Sequence, residues 1–258
     1  MPRNIAYQTP HLARYFQAHR RKWDEFYASE RWIFERVAGS GRKFGQVLDV
    51  GCAVGGLANA FGERFAIDDY TGVDISEETI TIARQGAGAL PFPAAFIAAD
   101  ICDCPQLGAR KFDLVVGLSV IDWNIDASGM LAACWDRVAP GGSLVLSLRL
   151  TPGKAVCDID KSYQIISDGI AAPEAAGERA QYTVFNTLDA FHMLGRCDPA
   201  PSDILAYGYW GKPSSTATTP FDKLVFAVVS VRKAIQAGDA IAPSVELHLP
   251  VTAFPEAL

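Results

Sequence analysis

An α/β fold built on a mostly parallel sheet is what this sequence predicts, on three observations. Between residues 47 and 150, short apolar runs alternate with helical stretches, the pattern of buried strands joined by right-handed crossovers. A glycine-rich turn, Gly51-Cys52-Ala53-Val54-Gly55-Gly56, follows the first of those runs. Later in the chain, Ile204 to Trp210 and Leu224 to Val231 are two more apolar runs, joined by a connection short enough for an antiparallel pair.

The first segment, residues 11–38, has helical periodicity. Leu12, Tyr15, Phe16, His19, Trp23, Phe26 and Tyr27 fall on one stripe, and Ser29 is placed to cap a second helix over Glu30 to Val37. Such a stripe is core packing before it is a ligand box. Val47 to Val50 is then a strand, Leu57 to Phe65 a helix, and Tyr70 to Asp74 a second strand. Ser76 caps a helix over Glu77 to Gln85, whose first-turn glutamates suit the dipole. Phe96 to Ala98 leads to Asp100 as the third strand, and Phe112 to Leu118 is the fourth. Ser128 to Val138 is a helix, Ala139 to Gly142 a turn, and Ser143 to Leu150 the fifth strand. Residues 151–185 break the rhythm, with extra strands over Tyr163 to Ile166 and Gln181 to Phe185. Asn186 or Thr187 caps a helix that Gly195 ends, and residues 235–258 read as a surface tail.

Composition narrows the partners. The chain has 258 residues, 50% apolar and 20% charged, which excludes a disordered, collagen-like or rod-like protein. Its net charge of −6 has the wrong sign for a protein that gains affinity from phosphate contacts, so a small molecule rather than a nucleic acid is expected. Met1 to Pro10 has no basic stretch followed by an apolar core, and the longest apolar runs, Leu114 to Ile121 and Leu224 to Val231, fall short of the ~18–20 residues that span a bilayer. A soluble, cytoplasmic protein without membrane association is the expectation. The six cysteines include no CxxC pair, so reduced thiols are expected and a metal site is not.

The glycine turn carries the chemistry. A strand delivers the chain to the carboxyl edge of the sheet, glycines let it approach a ligand, a helix starts, and Asp74 ends the next strand; this is nucleotide-binding geometry. Gly51-x-Ala53-x-x-Gly56 fits the dinucleotide pattern poorly, because alanine stands where a glycine clears room for a pyrophosphate. S-adenosylmethionine fits better. It carries no phosphate, and a carboxylate such as Asp74 can accept both ribose hydroxyls. Asp49 would repel a phosphate but can pair with an α-ammonium, and Asp100 can accept from an adenine amino group.

Val47 to Gly56, Gly72-Val73-Asp74-Ile75-Ser76, Ala99-Asp100, Phe112-Asp113-Leu114-Val115-Val116 and Val138-Ala139-Pro140-Gly141-Gly142 occur in order. Together they resemble the successive motifs of class I S-adenosylmethionine-dependent methyltransferases, over residues 45–150. The departures are Ala53, where the family usually has glycine, and Val54 in place of a common Thr or Ser. Trp23 to Arg31 and Asp122-Trp123-Asn124 are similar to a bacterial subgroup whose acceptor the sequence does not name. The resemblance implies a Rossmann-like, seven-stranded, mostly parallel sheet with helices on both faces and an antiparallel final strand. It divides the chain into an N-terminal helical cap (1–44), the methyltransferase domain (45–233, with an acceptor-side insertion and last helix at 150–200) and a C-terminal tail (234–258).

The resemblance further implies cofactor contacts from Asp49, Gly51, Cys52, Ala53, Gly55, Asp74, Ile75, Asp100 and Ile101, with Leu118 and Ser119 beside the transferred methyl group. S-adenosylhomocysteine would be the product. The segment after Ser119 should line the acceptor pocket. There Asp122 is either a general base or a turn cap, and Asn124 either orients the acceptor or caps a helix. Trp123 is either a pocket wall or a core aromatic, and Arg149 either binds an anionic group of the acceptor or makes an ion pair. The chain lacks the Pro-Pro-aromatic motif of amino-methylating DNA enzymes and the Pro-Cys nucleophile of cytosine carbon methylation. Its Asp and Asn residues after the fourth strand are too few for a catechol-type metal site. A small-molecule acceptor, methylated on oxygen or nitrogen, remains. The rival readings are a nicotinamide-dependent oxidoreductase and a protein that binds S-adenosylmethionine without transferring its methyl.

Overall fold

The computed structural model describes residues 13, 16–166, 178–235 and 242–255. Leu12 and Tyr15 of the N-terminal stripe, and part of the tail, lie outside the described residues. The strands are β1 (Lys43–Val50), β2 (Ala66–Asp74), β3 (Ala94–Ala98), β4 (Phe112–Gly117), β5 (Val138–Thr151), β6 (Tyr163–Ile166), β7 (Glu178–Gln181), β8 (Phe185–Asn186), β9 (Pro201–Gly211), β10 (Ala217–Thr218), β11 (Leu224–Lys233) and β12 (Ser244–His248). The helices are α1 (Ala28–Ala38), α2 (Gly56–Gly62), α3 (Glu77–Gly86), α4 (Ala127–Arg137) and α5 (Thr187–Gly195).

The main sheet runs β12-β9-β11-β5-β4-β1-β2-β3, with β8 paired to the far end of β5. Strands β1 to β5 are parallel, and β11 is antiparallel to both β5 and β9. Strands β1, β4 and β5 are central and read as nearly continuous apolar runs because both faces are covered. One face packs α4 and α5 through residues such as Leu131, Trp135 and Leu194; the other packs α1 and α2 through Phe34, Phe61 and Tyr70. A second, three-stranded sheet, β10-β6-β7, is antiparallel throughout.

Most predicted elements are present, and Ser76 and Asn186 cap their helices through side-chain oxygens. Four details differ. Among the described residues the main sheet has nine strands rather than seven, because the two-residue β8 joins it and β12 forms inside the supposed surface tail. β12 pairs in parallel with β9 at the sheet edge, where a strand exposed on most of its residues leaves no clear alternation in the sequence. Ala139 to Gly142 is not a separate turn: β5 begins at Val138, and the register with β4 shifts between Phe112 and Leu114. The N-terminal stripe is not one helix. Arg20 is left-handed (φ 58°), Trp23–Glu25 is a single 3-10 turn, and the helix α1 begins at Ala28 with Tyr27 at its N-cap in place of the proposed Ser29.

The cause of that last difference is a set of carboxylates. Glu25 Oε2 accepts from the Arg21 N–H (2.7 Å), Glu63 from the Trp23 N–H (2.9 Å) and Glu30 from the Tyr27 N–H (2.8 Å). They satisfy backbone donors that a continuous helix would have used itself.

Candidate active site

The loop after β1 is held from two sides. Gly51 N–H (2.8 Å) and Cys52 N–H (3.2 Å) both donate to the Val73 carbonyl at the end of β2, which folds the chain back toward Asp74. Gly51 has φ +71°, and a Cβ there would stand 2.6 Å from Val120, so only glycine fits. Ala53 is also left-handed, at φ +46°. That is the physical meaning of the glycine usual there in the family: alanine accepts the conformation at a cost of roughly 1–2 kcal/mol.

Asp74 holds this shape. Its Oδ2 accepts from the Ala53 N–H and its Oδ1 from the Ser76 N–H, each at 2.9 Å, tying the glycine loop to the start of α3. Burial pushes its pKa up against those hydrogen bonds. Asp49 is 4% exposed and accepts a 2.5 Å hydrogen bond from the Tyr70 hydroxyl. Burial, with the nearby Asp74 charge, raises its pKa to about 7; Tyr70 and the Arg20 charge oppose the rise. Among the described residues it has a phenol for company and no ion pair within 4 Å. The Cys52 thiol between these carboxylates is pushed well up by burial and stays protonated.

The remaining predicted cofactor residues gather at the same carboxyl edge. Asp100 is exposed, and its Oδ1 accepts from the Cys102 N–H (2.9 Å) while Ile101 behind it is buried. Ile75 is 42% exposed at the end of β2. Leu118 and Ser119 leave β4; Ser119 is left-handed (φ 55°) and its N–H donates to Ser147 Oγ on β5 at 2.6 Å.

On the acceptor side the structure brings two expected residues onto each other. Arg149 Nε lies 2.9 Å from Asp122 Oδ2, and its Nη2 donates to the Asp122 carbonyl at 2.5 Å. Both side chains are almost fully buried, at 3% and 5% exposure, and a buried charge without a counter-charge would cost far more than the pair. Desolvation pushes the Asp122 pKa up while Arg149 opposes it. Asn124 Oδ1 accepts from the Asp126 N–H (2.8 Å), a local turn leading into α4. Trp123 is half-buried and edge-on to Tyr182, 5.8 Å between ring centroids.

Four further residues were not singled out as site residues from sequence. Tyr70 had a signal, since a tyrosine in a buried strand requires a hydroxyl partner. Ser147 and Tyr182 had none beyond their strands. Arg20 acts on Asp49 only as a nearby charge, its guanidinium being paired with Glu30 (2.8 Å); the N-terminal segment crosses over the start of α2, where the Arg20 carbonyl stands 2.2 Å from the place a Gly56 Cβ would occupy.

Parallel strands with Asp49 and Asp74 at their ends and Asp100 just beyond β3, set around a left-handed loop and flanked by an antiparallel β11, give a Rossmann-like α/β sheet. Residues 47–142 match the family described as methyltransferase domain. It is 33% identical over 120 residues to a ubiquinone biosynthesis O-methyltransferase of Pseudomonas entomophila, covering 45% of this chain and 48% of that protein. A ubiquinone biosynthesis O-methyltransferase of Pseudomonas aeruginosa is likewise 33% identical, over 118 residues. The chain thus spans about half the length of the curated relatives it matches. Among solved structures, an S-adenosylmethionine-dependent methyltransferase of Clostridium acetobutylicum superposes with a TM-score of 0.54 at 14% identity, over 86% of this chain and 99% of that one. The cyclase SpnF superposes with 0.55 at 18% identity, over 92% and 99%. These two likenesses are of fold: a methyltransferase and a cyclase share it, so activity has to be argued from the site.

Proposed function

We propose that this protein transfers a methyl group from S-adenosylmethionine to the oxygen or nitrogen of a small-molecule acceptor. The observation that carries the reading is Asp49. It is a buried carboxyl beside a second buried carboxyl, raised to about 7 and given no cation by hydrogen bond or ion pair among the described residues, which suits a cationic, phosphate-free ligand. A pyrophosphate at the same place would meet two acidic groups. The matched relatives are O-methyltransferases by name, in keeping with a small acceptor.

When bound, S-adenosylmethionine supplies the reactive methyl on its sulfonium. Asp49 would take the α-ammonium of its amino-acid end. Asp74 would receive the ribose hydroxyls with its remaining lone pairs, and Asp100, Ile75 and Ile101 would frame the adenine. Gly51, Cys52, Ala53 and Gly55 would lie along the ligand as backbone, while Leu118 and Ser119 face the methyl. Trp123 and Asn124 would border the acceptor. Positive charge disappears as the methyl moves in line, so alignment and exclusion of water do the catalytic work. Alignment alone can supply about 7–11 kcal/mol. The six free cysteines and the acidic net charge support a cytoplasmic protein that does not act on nucleic acid. No described helix is long and apolar enough to cross a membrane.

Thermal unfolding with S-adenosylhomocysteine, NAD or NADP in excess tests this. A ligand at a hundred times its dissociation constant stabilises by about 2.7 kcal/mol, and the shift is expected with S-adenosylhomocysteine alone. A shift with NAD or NADP alone would overturn the reading.

A further inference from the structure

We propose that Arg149 and Asp122 act as one positioning unit that fixes the acceptor wall, neither binding an anionic acceptor nor serving as its base. The inference rests on reading the carboxyl ends of β4 and β5 as the acceptor side.

The unit joins three separate pieces of chain. Arg149 comes from β5, Asp122 from the turn Ile121–Trp123 that follows β4, and Tyr182 from the end of β7. The guanidinium lies over the Tyr182 ring (3.5 Å to the centroid) and beside Trp123 (4.6 Å), so its faces are taken by aromatic rings while its edge takes Asp122. The Asp122 carbonyl accepts from both Arg149 Nη2 (2.5 Å) and the Thr183 N–H (2.9 Å). Through that one oxygen the turn is fastened to the main sheet and to the segment leading out of the small sheet. Ser162 Oγ, donating to the Tyr182 carbonyl at 2.6 Å, continues the connection into the small sheet.

An anionic acceptor needs a guanidinium with an accessible, uncommitted edge. A general base needs a carboxylate oxygen within reach of the acceptor's proton. Arg149 is buried, its charge paired with Asp122 Oδ2 and its Nη2 held by the Asp122 carbonyl, and Arg149 Nε and the second oxygen of Asp122, Oδ1, are sealed from solvent with no hydrogen-bond partner. What remains accessible beside the pair is half-buried Trp123, against whose ring the guanidinium lies. Lysine cannot substitute, since a point charge cannot stack on Tyr182 while meeting a carbonyl and a carboxylate together.

Hydrogen–deuterium exchange on the full chain, read at Trp123, Asn124 and Thr183, separates positioning from plain stability. Their N–H groups donate to Val120, Ile121 and Asp122 carbonyls respectively. Arg149→Lys and Asp122→Asn are expected to speed exchange there at least tenfold, with β1 amides unchanged. The charge-free Arg149→Met/Asp122→Leu pair should recover the parent's melting temperature, because removing both buried charges is tolerated, yet leave exchange at Trp123 and Asn124 fast. Slow, parent-like exchange in the double variant would overturn the proposal, reducing the pair to interchangeable packing; so would unchanged exchange in both single variants. If the single variants do not fold, the double variant decides alone. Calorimetric titration of the parent with S-adenosylhomocysteine is run alongside. Absent binding there counts against the functional reading and not against the pair.

Discussion

If Asp49 takes a cationic group of the cofactor, cofactor affinity must fall with acid in a calculable way. Buried beside Tyr70 and near Asp74, Asp49 titrates at about 7, against 3.8 for an ordinary aspartate. Only the ionised form can pair with an ammonium, so protons compete with the ligand. With a pKa of about 7, roughly 76% of Asp49 is ionised at pH 7.5 and roughly 3% at pH 5.5. The dissociation constant of S-adenosylhomocysteine should therefore rise about 25-fold over that range, or about 2 kcal/mol. Isothermal titration at five pH values measures this directly. Asp49→Asn keeps an acceptor for the Tyr70 hydroxyl but cannot ionise. Its affinity should be weak and nearly flat across the same range. A flat profile in the parent, or the same slope in Asp49→Asn, would refute the assignment of Asp49 to the ammonium.

The same shift affects folding in the ligand-free protein. A carboxyl whose pKa is raised by folding stabilises fully below its unfolded pKa, and that contribution is lost as pH rises through the folded value. The ligand-free protein should thus lose on the order of 4 kcal/mol from this group between pH 4 and pH 8, and Asp49→Asn should melt higher than the parent at pH 8. Asp74→Ala should weaken S-adenosylhomocysteine binding by about 1.5–3 kcal/mol in calorimetry, and unchanged affinity would remove Asp74 from the site. Gly56→Ala sets a methyl group 2.2 Å from the Arg20 carbonyl, so the N-terminal segment must lift; limited proteolysis near residues 16–25 should accelerate, and an unchanged cleavage rate would deny that contact. Ser147→Ala removes the hydroxyl that holds the left-handed Ser119 N–H, and should destabilise by about 1 kcal/mol in urea unfolding with the m-value preserved.

The parallel core was legible because its strands are buried on both faces and its helices carry their own caps: Ser76, the glutamates after it, and Asn186 are local signals that packing did not override. The acidic strand ends were legible for the same reason, since a carboxylate at the end of an apolar run is conspicuous in one dimension. The edge strand β12 was not, because exposure on most of its residues erases the alternation that marks a half-buried strand. Nor was the break at Arg20, which depends on Glu63, a residue far along the chain, accepting the Trp23 N–H.

The sequence by itself determined the fold class, the glycine loop and the charge character of the ligand edge, because strand burial, left-handed turns and acidic strand ends are written locally in residue type and spacing. Only the tertiary structure decided the state of those charges. Asp49 and Asp122 are both aspartates near strand ends, yet one is a buried acid beside a phenol and the other half of an ion pair with Arg149. A pKa depends on what is brought within a few ångströms and on how much water is expelled, and both are properties of packing rather than of neighbours in the chain.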